Sequence, residues 1–311
     1  MICAEKMQKM HETITEQTVD FWKKTFKMTE LMERGLEVAV GQTPHETVYY
    51  RRRVKLERYL PEGRKVSETP IVICFALVNR PYVMDLIPGK SIIEILVKQG
   101  FEVYLIDWGY PTDADRDEGF DTYVNMYMDR MIDKVRELSR VDQVSLLGYC
   151  MGGSMSMMYT ALHQEKVKNL VTMATPFDFG AAESILFKWG RDLPVEDIVH
   201  TFGNCPGGFL NMGFDAMKPF DKIDKMLSFK QGMMDDEFRN LFLAMEKWTS
   251  DAVAVPGKAY QEFLSDGFRD NRLKKGQFCV GEQLIDLKNI TCSYLNIVAD
   301  KDTLVPPAAS I

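Results

Sequence analysis

The chain has 311 residues, of which 46% are hydrophobic and 11% aromatic, enough to bury one large core or two modest ones, and its formal net charge is −7. That acidic balance excludes a general attraction to nucleic acid or to an anionic bilayer. No apolar run reaches transmembrane length, and the stretch from Met1 to Ile14 lacks the basic start and apolar middle of a signal peptide, so a cytoplasmic enzyme is expected.

Residues 1–42 have helical composition, with an amphipathic stripe formed by Met7, Met10, Ile14, Val19, Trp22 and Phe26 at spacings of three and four. Core packing is its default role; contact with a partner helix or a hydrophobic surface is the alternative. The pattern ends at Thr43-Pro44, and the catalytic domain is placed at 43–311. Val48 to Leu60 alternates as an early strand pair, ending in the turn Pro61-Glu-Gly63. Its triplet Arg51-Arg-Arg53 suggests either a phosphate contact or, more simply, the solvated face of an edge strand.

Strands and helices then alternate, which points to a mostly parallel sheet. Ile71 to Phe75 is a buried strand followed by the loop Ala76 to Pro81; Lys90 to Gln99 is a helix; Val103 to Trp108 is a second strand closed by Gly109. Asp107 is expected to anchor that turn. Phe120 to Ser139 reads as one long amphipathic helix. Val144-Ser-Leu-Leu-Gly-Tyr-Cys-Met-Gly-Gly153 is a strand running through a glycine-flanked cysteine into a helix, the pattern of a nucleophile elbow with cysteine in place of serine.

In that reading Cys150 is the nucleophile, and the backbone N–H of Met151 faces a developing oxyanion. A second amide comes from Val78, with Asn79 as the alternative. Leu170 to Ala174 forms the next strand. Residues 179–284 show no regular strand alternation and are rich in Met, Phe and Trp, as expected of a cap inserted over an acyl-binding site. The sheet resumes at Cys292 to Ala299, followed by Asp300-Lys-Asp302, where a triad acid is expected. Asp300 and Asp302 compete for that role, with Asp178 a weaker third. The six cysteines form no CxxC pair, so reduced thiols and no metal site are expected.

Taken together, Leu77 to Leu86, Tyr104-Leu-Ile-Asp-Trp-Gly109, Gly148 to Gly153, Lys247-Trp-Thr-Ser-Asp251 with Pro256-Gly257, Asn271 to Gly276, Asp286 to Thr291 and Asp302-Thr-Leu-Val-Pro306 resemble the polyhydroxyalkanoate synthases of class III or class IV type. The resemblance implies an α/β-hydrolase fold with a cap insertion. It implies polymerisation of short-chain (R)-3-hydroxyacyl-CoA such as 3-hydroxybutyryl-CoA, with CoA release, through Cys150 as acylated nucleophile and Asp302 as catalytic aspartate. It also implies a small second subunit, homo-oligomer formation and association with polyester granules in the cytoplasm, with no cofactor beyond the CoA thioester substrate.

The family's histidine follows one more strand after the Asp-x-Leu-Val-Pro motif, and none of His11, His45, His163 and His200 matches it. His163 lies roughly 20 Å from Cys150 along the intervening helix. The expectation is therefore a chain in which the base, the last core strand and a terminal helix are missing, inactive or weakly active as it stands. A cysteine-dependent hydrolase or thioesterase and a non-catalytic interaction subunit are the competing readings.

Overall fold

The computed structural model describes residues 37–181, 184–217 and 221–311, with scattered positions between 15 and 26. Of the N-terminal stripe, Met7, Met10, Ile14 and Trp22 lie outside the described residues, while Val19 and Phe26 are helical and exposed.

Seven strands form the central sheet: β1 (Glu46–Arg51), β2 (Val54–Tyr59), β3 (Ile71–Cys74), β4 (Val103–Asp107), β5 (Val144–Tyr149), β6 (Val167–Met173) and β7 (Ser293–Ile297). Their spatial order is β1-β2-β4-β3-β5-β6-β7. The β1–β2 and β2–β4 pairs are antiparallel and all others parallel. Central strands covered on both faces read as continuous apolar runs. All five residues of β4 are buried, as are Val72, Ile73 and Cys74 of β3. At the edge, β7 leaves Tyr294 and Leu295 exposed.

Helices α1 (Ile92–Lys98), α2 (Asp129–Ser139) and α3 (Met151–Leu162) accompany the strands. Ser91 caps α1 by accepting the Glu94 N–H at 2.9 Å, and α2 stops where Arg140 turns left-handed at φ 54°. α3 runs through the core, and its buried hydroxyls are satisfied by carbonyls: Ser156 donates to Gly152 and Thr160 to Ser156, each at 2.7 Å.

The helix expected from Phe120 to Ser139 is split. Its first half, Asp121–Met128, is π-helical, and only the second half is α2. The wider turn sets Tyr123 and Tyr127 against the hairpin joining β1 to β2. There Arg53 donates to the Tyr123 hydroxyl at 2.8 Å, while the Tyr127 hydroxyl donates to Glu118 at 2.7 Å. For Arg53 the reading of the triplet is corrected at the same place. Arg52 and Arg53 form ion pairs with both Asp115 and Glu118, and the Arg53 side chain is only 12% exposed. Arg53 is therefore neither a solvated surface charge nor available to a phosphate.

Between β6 and β7 the chain is mainly helical: α4 (Ile185–Asp192), α5 (Val195–Phe202), α6 (Gly207–Met217), α7 (Asp221–Gly232), α8 (Asp236–Ser250), α9 (Gly257–Glu262) and α10 (Arg272–Lys275). Phe179, Phe187, Phe263 and Phe268 form one aromatic cluster with centroids 4.6–5.6 Å apart. The two ends of this insertion are tied together. Asn271, itself left-handed at φ 51°, accepts the Phe179 N–H at 3.0 Å and donates to Asp178 at 2.9 Å.

Candidate active site

β5 delivers Cys150 at the sheet's C-terminal edge and α3 leaves at once from Met151. The reversal forces Cys150 to φ 52° and ψ −126°, a conformation that costs a non-glycine residue about 1–3 kcal/mol and is held by the surrounding structure. Hydrogen bonds fix it on both sides: its N–H donates to the Met173 carbonyl at 2.9 Å, and its carbonyl accepts the Gly153 N–H at 2.8 Å.

The flanking glycines permit the crossing. A Cβ on Gly148 would lie 2.4 Å from the Gly153 Cα, one on Gly152 would lie 2.3 Å from the Cys74 carbonyl oxygen, and one on Gly153 would lie 1.8 Å from Thr175 Oγ1. Gly153, against Thr175, is the tightest of the three approaches.

Burial pushes the Cys150 thiol up to about 11; the Met151 N–H, bonded to the sulfur, opposes this, and the negative charge of Asp302 adds to it. Thiolate is the reactive form, so alkylation of Cys150 by iodoacetamide is expected to be slow at neutral pH and to rise about tenfold per unit between about pH 7 and 10. Peptide mass spectrometry across that range reads it; a plateau near pH 8 would mean an ordinary thiol.

Asp302 lies in the turn after β7 and is half-buried, its Oδ1 accepting the N–H groups of Leu304 and Val305 at 2.9 Å each. Its charge also raises the Tyr149 hydroxyl, whose largest perturbation is burial. Asp300 is exposed. Asp178 is occupied by Asn271, the Gly180 N–H and Lys274.

Val78 lies in the loop that follows β3, the strand paired with β5, and is half-buried; among the described residues no acceptor takes its N–H. Asn79, next to it, is left-handed at φ 63°. Asp107 does anchor its turn, accepting the Gly109 N–H at 2.9 Å, and it also pairs with Arg80 of the Val78 loop at 2.7 Å. Tyr110 lies under that guanidinium at 4.3 Å, and the Trp108 indole donates to the Phe75 carbonyl at 2.9 Å. Both the Asp-Trp-Gly stretch and the Asn-Arg-Pro stretch thus serve one loop.

No histidine completes the site among the described residues. His163 ends α3, with its ring 4.7 Å from Tyr159; His45 sits on Tyr59 with Nδ1 2.8 Å from the Thr43 carbonyl oxygen; and His200 is in α5. His11 lies outside the described residues.

Two family models match the chain. The model described as "alpha/beta hydrolase fold" matches residues 69–311, and that described as "Poly-beta-hydroxybutyrate polymerase (PhaC) N-terminus" matches residues 4–96. The poly(3-hydroxyalkanoate) polymerase subunit PhaC of Allochromatium vinosum is 41% identical over 96% of this chain and 85% of its own length. This chain belongs to that polymerase family. A second member of the polymerase family, from Synechocystis sp., is 38% identical over 98% of this chain and 82% of its own length. Among solved structures, the monoacylglycerol lipase of Paleococcus ferrophilus aligns with a TM-score of 0.47 at 16% identity, covering 82% of this chain and 81% of that one. The α/β-hydrolase fold and the polymerase family expected from the sequence are both found.

Proposed function

We propose that this chain is the acyl-transferring subunit of a polyester synthase, in which Cys150 carries the growing chain. The observation that carries the reading is the elbow itself: a strained cysteine between β5 and α3, in a turn whose glycines leave no room for a side chain. In the proposed exchange the Cys150 thiolate attacks the carbonyl carbon of an (R)-3-hydroxyacyl-CoA. The carbon–sulfur bond to CoA breaks, and CoA leaves as a thiolate that takes up a proton. One thioester replaces another of similar energy, so the acyl group stays activated. The 3-hydroxyl of the next unit then attacks that acyl carbon, gives its proton to a base and releases Cys150.

Met151 and Val78 supply the two amides for the tetrahedral oxyanion. Asp302, held by two N–H groups, fits the role of orienting a protonated base beside the thiol. The reaction uses thiol, acid, amides and thioester, with no cofactor and no metal. The relatives named polymerase subunits support a second subunit working with this chain. Contact with a hydrophobic polymer surface is supported by Phe202, Met212, Leu227 and Met234, all more than half exposed on or beside the helices of the insertion. Among the described residues no helix is long and apolar enough to cross a membrane, and a cytoplasmic, granule-bound oligomer accommodates that observation.

The test is product analysis with (R)-3-hydroxybutyryl-CoA. Covalent acyl-Cys150 and polyester are expected, at a rate limited to residual catalysis, about 10³ to 10⁴ over water, while no imidazole reaches the thiol. Free 3-hydroxybutyrate without polyester would instead assign a hydrolase.

A further inference from the structure

Trp248 stands at the last turn of α8, remote in sequence from the Val78 loop, yet its indole Nε1–H donates to the Arg80 carbonyl at 2.8 Å. A return bond runs from Asn79 Nδ2 to the Trp248 carbonyl at 3.4 Å. Both partners lie within two residues of Val78. Asn79 is left-handed at φ 63°, a conformation asparagine tolerates, and the contacts around it set the shape of the loop. Asp107 holds it from the sheet side through Arg80. Trp248 holds it from α8.

Trp248 is itself braced. It packs against the cluster of Leu86, Ile87 and Ala244, onto which Val38 and Val40 also fold, and the adjacent Lys247 ammonium donates to the Val38 carbonyl at 2.8 Å. The indole N–H therefore comes from a fixed point, and the peptide it grips is two residues from the proposed oxyanion donor.

We propose that Trp248 is a positioning residue for acyl transfer, holding the Val78 amide at the oxyanion through the Arg80 carbonyl. The inference rests on the reading of Cys150 as acyl acceptor. An oxyanion donor acts only when preorganised, and a displacement of about 1 Å is enough to lose much of its effect.

The test compares two reactions of the same sulfur. Acylation by (R)-3-hydroxybutyryl-CoA passes through a tetrahedral oxyanion; alkylation by iodoacetamide displaces iodide from a saturated carbon and does not. Both require the thiolate, so their ratio isolates the oxyanion site from thiol ionisation. Trp248→Phe keeps an aromatic ring and removes the N–H. It is expected to slow single-turnover acylation about 10- to 100-fold while alkylation stays within about twofold. Asn79→Gly retains access to the left-handed conformation, loses the return bond, and is expected to move the ratio the same way by a smaller factor. Equal slowing of both reactions in Trp248→Phe, or no slowing of acylation, overturns the proposal. A wild-type sulfur that is alkylated but never acylated overturns the acyl-transfer reading and this inference with it.

Discussion

Replacing Cys150 with serine is expected to abolish covalent acyl transfer from (R)-3-hydroxybutyryl-CoA to position 150, with the fold intact. The substitution is nearly isosteric and occupies the same strained position. What it changes is the chemistry. A serine hydroxyl ionises far less readily than even this raised thiol, and no imidazole stands beside position 150 among the described residues to take its proton. Any acyl-serine formed would be an oxygen ester, of lower acyl-transfer potential than the thioester consumed, so chain growth would stall after one unit. Mass spectrometry of the Cys150 peptide after a single turnover checks this. The acyl adduct should appear in the wild type and be absent from Cys150→Ser; an adduct on another cysteine, such as the exposed Cys279, would transfer the role away from the elbow.

The elbow was legible in sequence because everything it needs is local. A strand, a cysteine, a helix and the glycines between them fall within ten residues, and steric demands at Gly148 and Gly152 act on immediate neighbours or on the adjacent strand. The parallel sheet was legible for a related reason: strands buried on both faces announce themselves as short apolar runs. Asp302 is separated from Asp300 only through the resemblance, by a motif that is likewise continuous in sequence. Long-range pairings were not visible. Arg80 and Asp107 stand in two separately recognisable stretches, and nothing in either says that they meet, or that Trp248 closes on the same loop from a helix beyond β6. The π-helical turn at Asp121–Met128 was missed because apolar periodicity cannot separate five-residue from four-residue hydrogen bonding over two turns. Arg53 was misread because its partners, Asp115 and Glu118, come from a loop beyond β4 in sequence.

That last cluster has the largest expected effect on stability. Glu118→Ala is expected to destabilise the fold by about 3–5 kcal/mol, because it breaks a buried ion pair from one side. The Glu118 side chain is 8% exposed, lies 2.5 Å from Arg53, and accepts the Tyr127 hydroxyl. Its loss leaves a guanidinium that is 12% exposed with Asp115 as its remaining carboxylate, and orphans a tyrosine hydroxyl beneath the β1–β2 hairpin. Arg52→Ala should cost about 1 kcal/mol or less, since its side chain is 55% exposed and its ion pairs are screened. Acid should act in the same place. Burial favours the neutral form of Asp115, but the Thr112 N–H and hydroxyl and then the Arg53 and Arg52 charges outweigh it and hold the carboxyl below its usual range. A carboxyl depressed in the folded state contributes stability above its unfolded pKa of about 3.9 and loses it as pH falls through the folded value. Urea denaturation of the wild type and both variants checks the order. Equal midpoints for Glu118→Ala and Arg52→Ala would show that Arg53 finds a replacement for Glu118, and that this network does not fasten the hairpin to the π-helical turn.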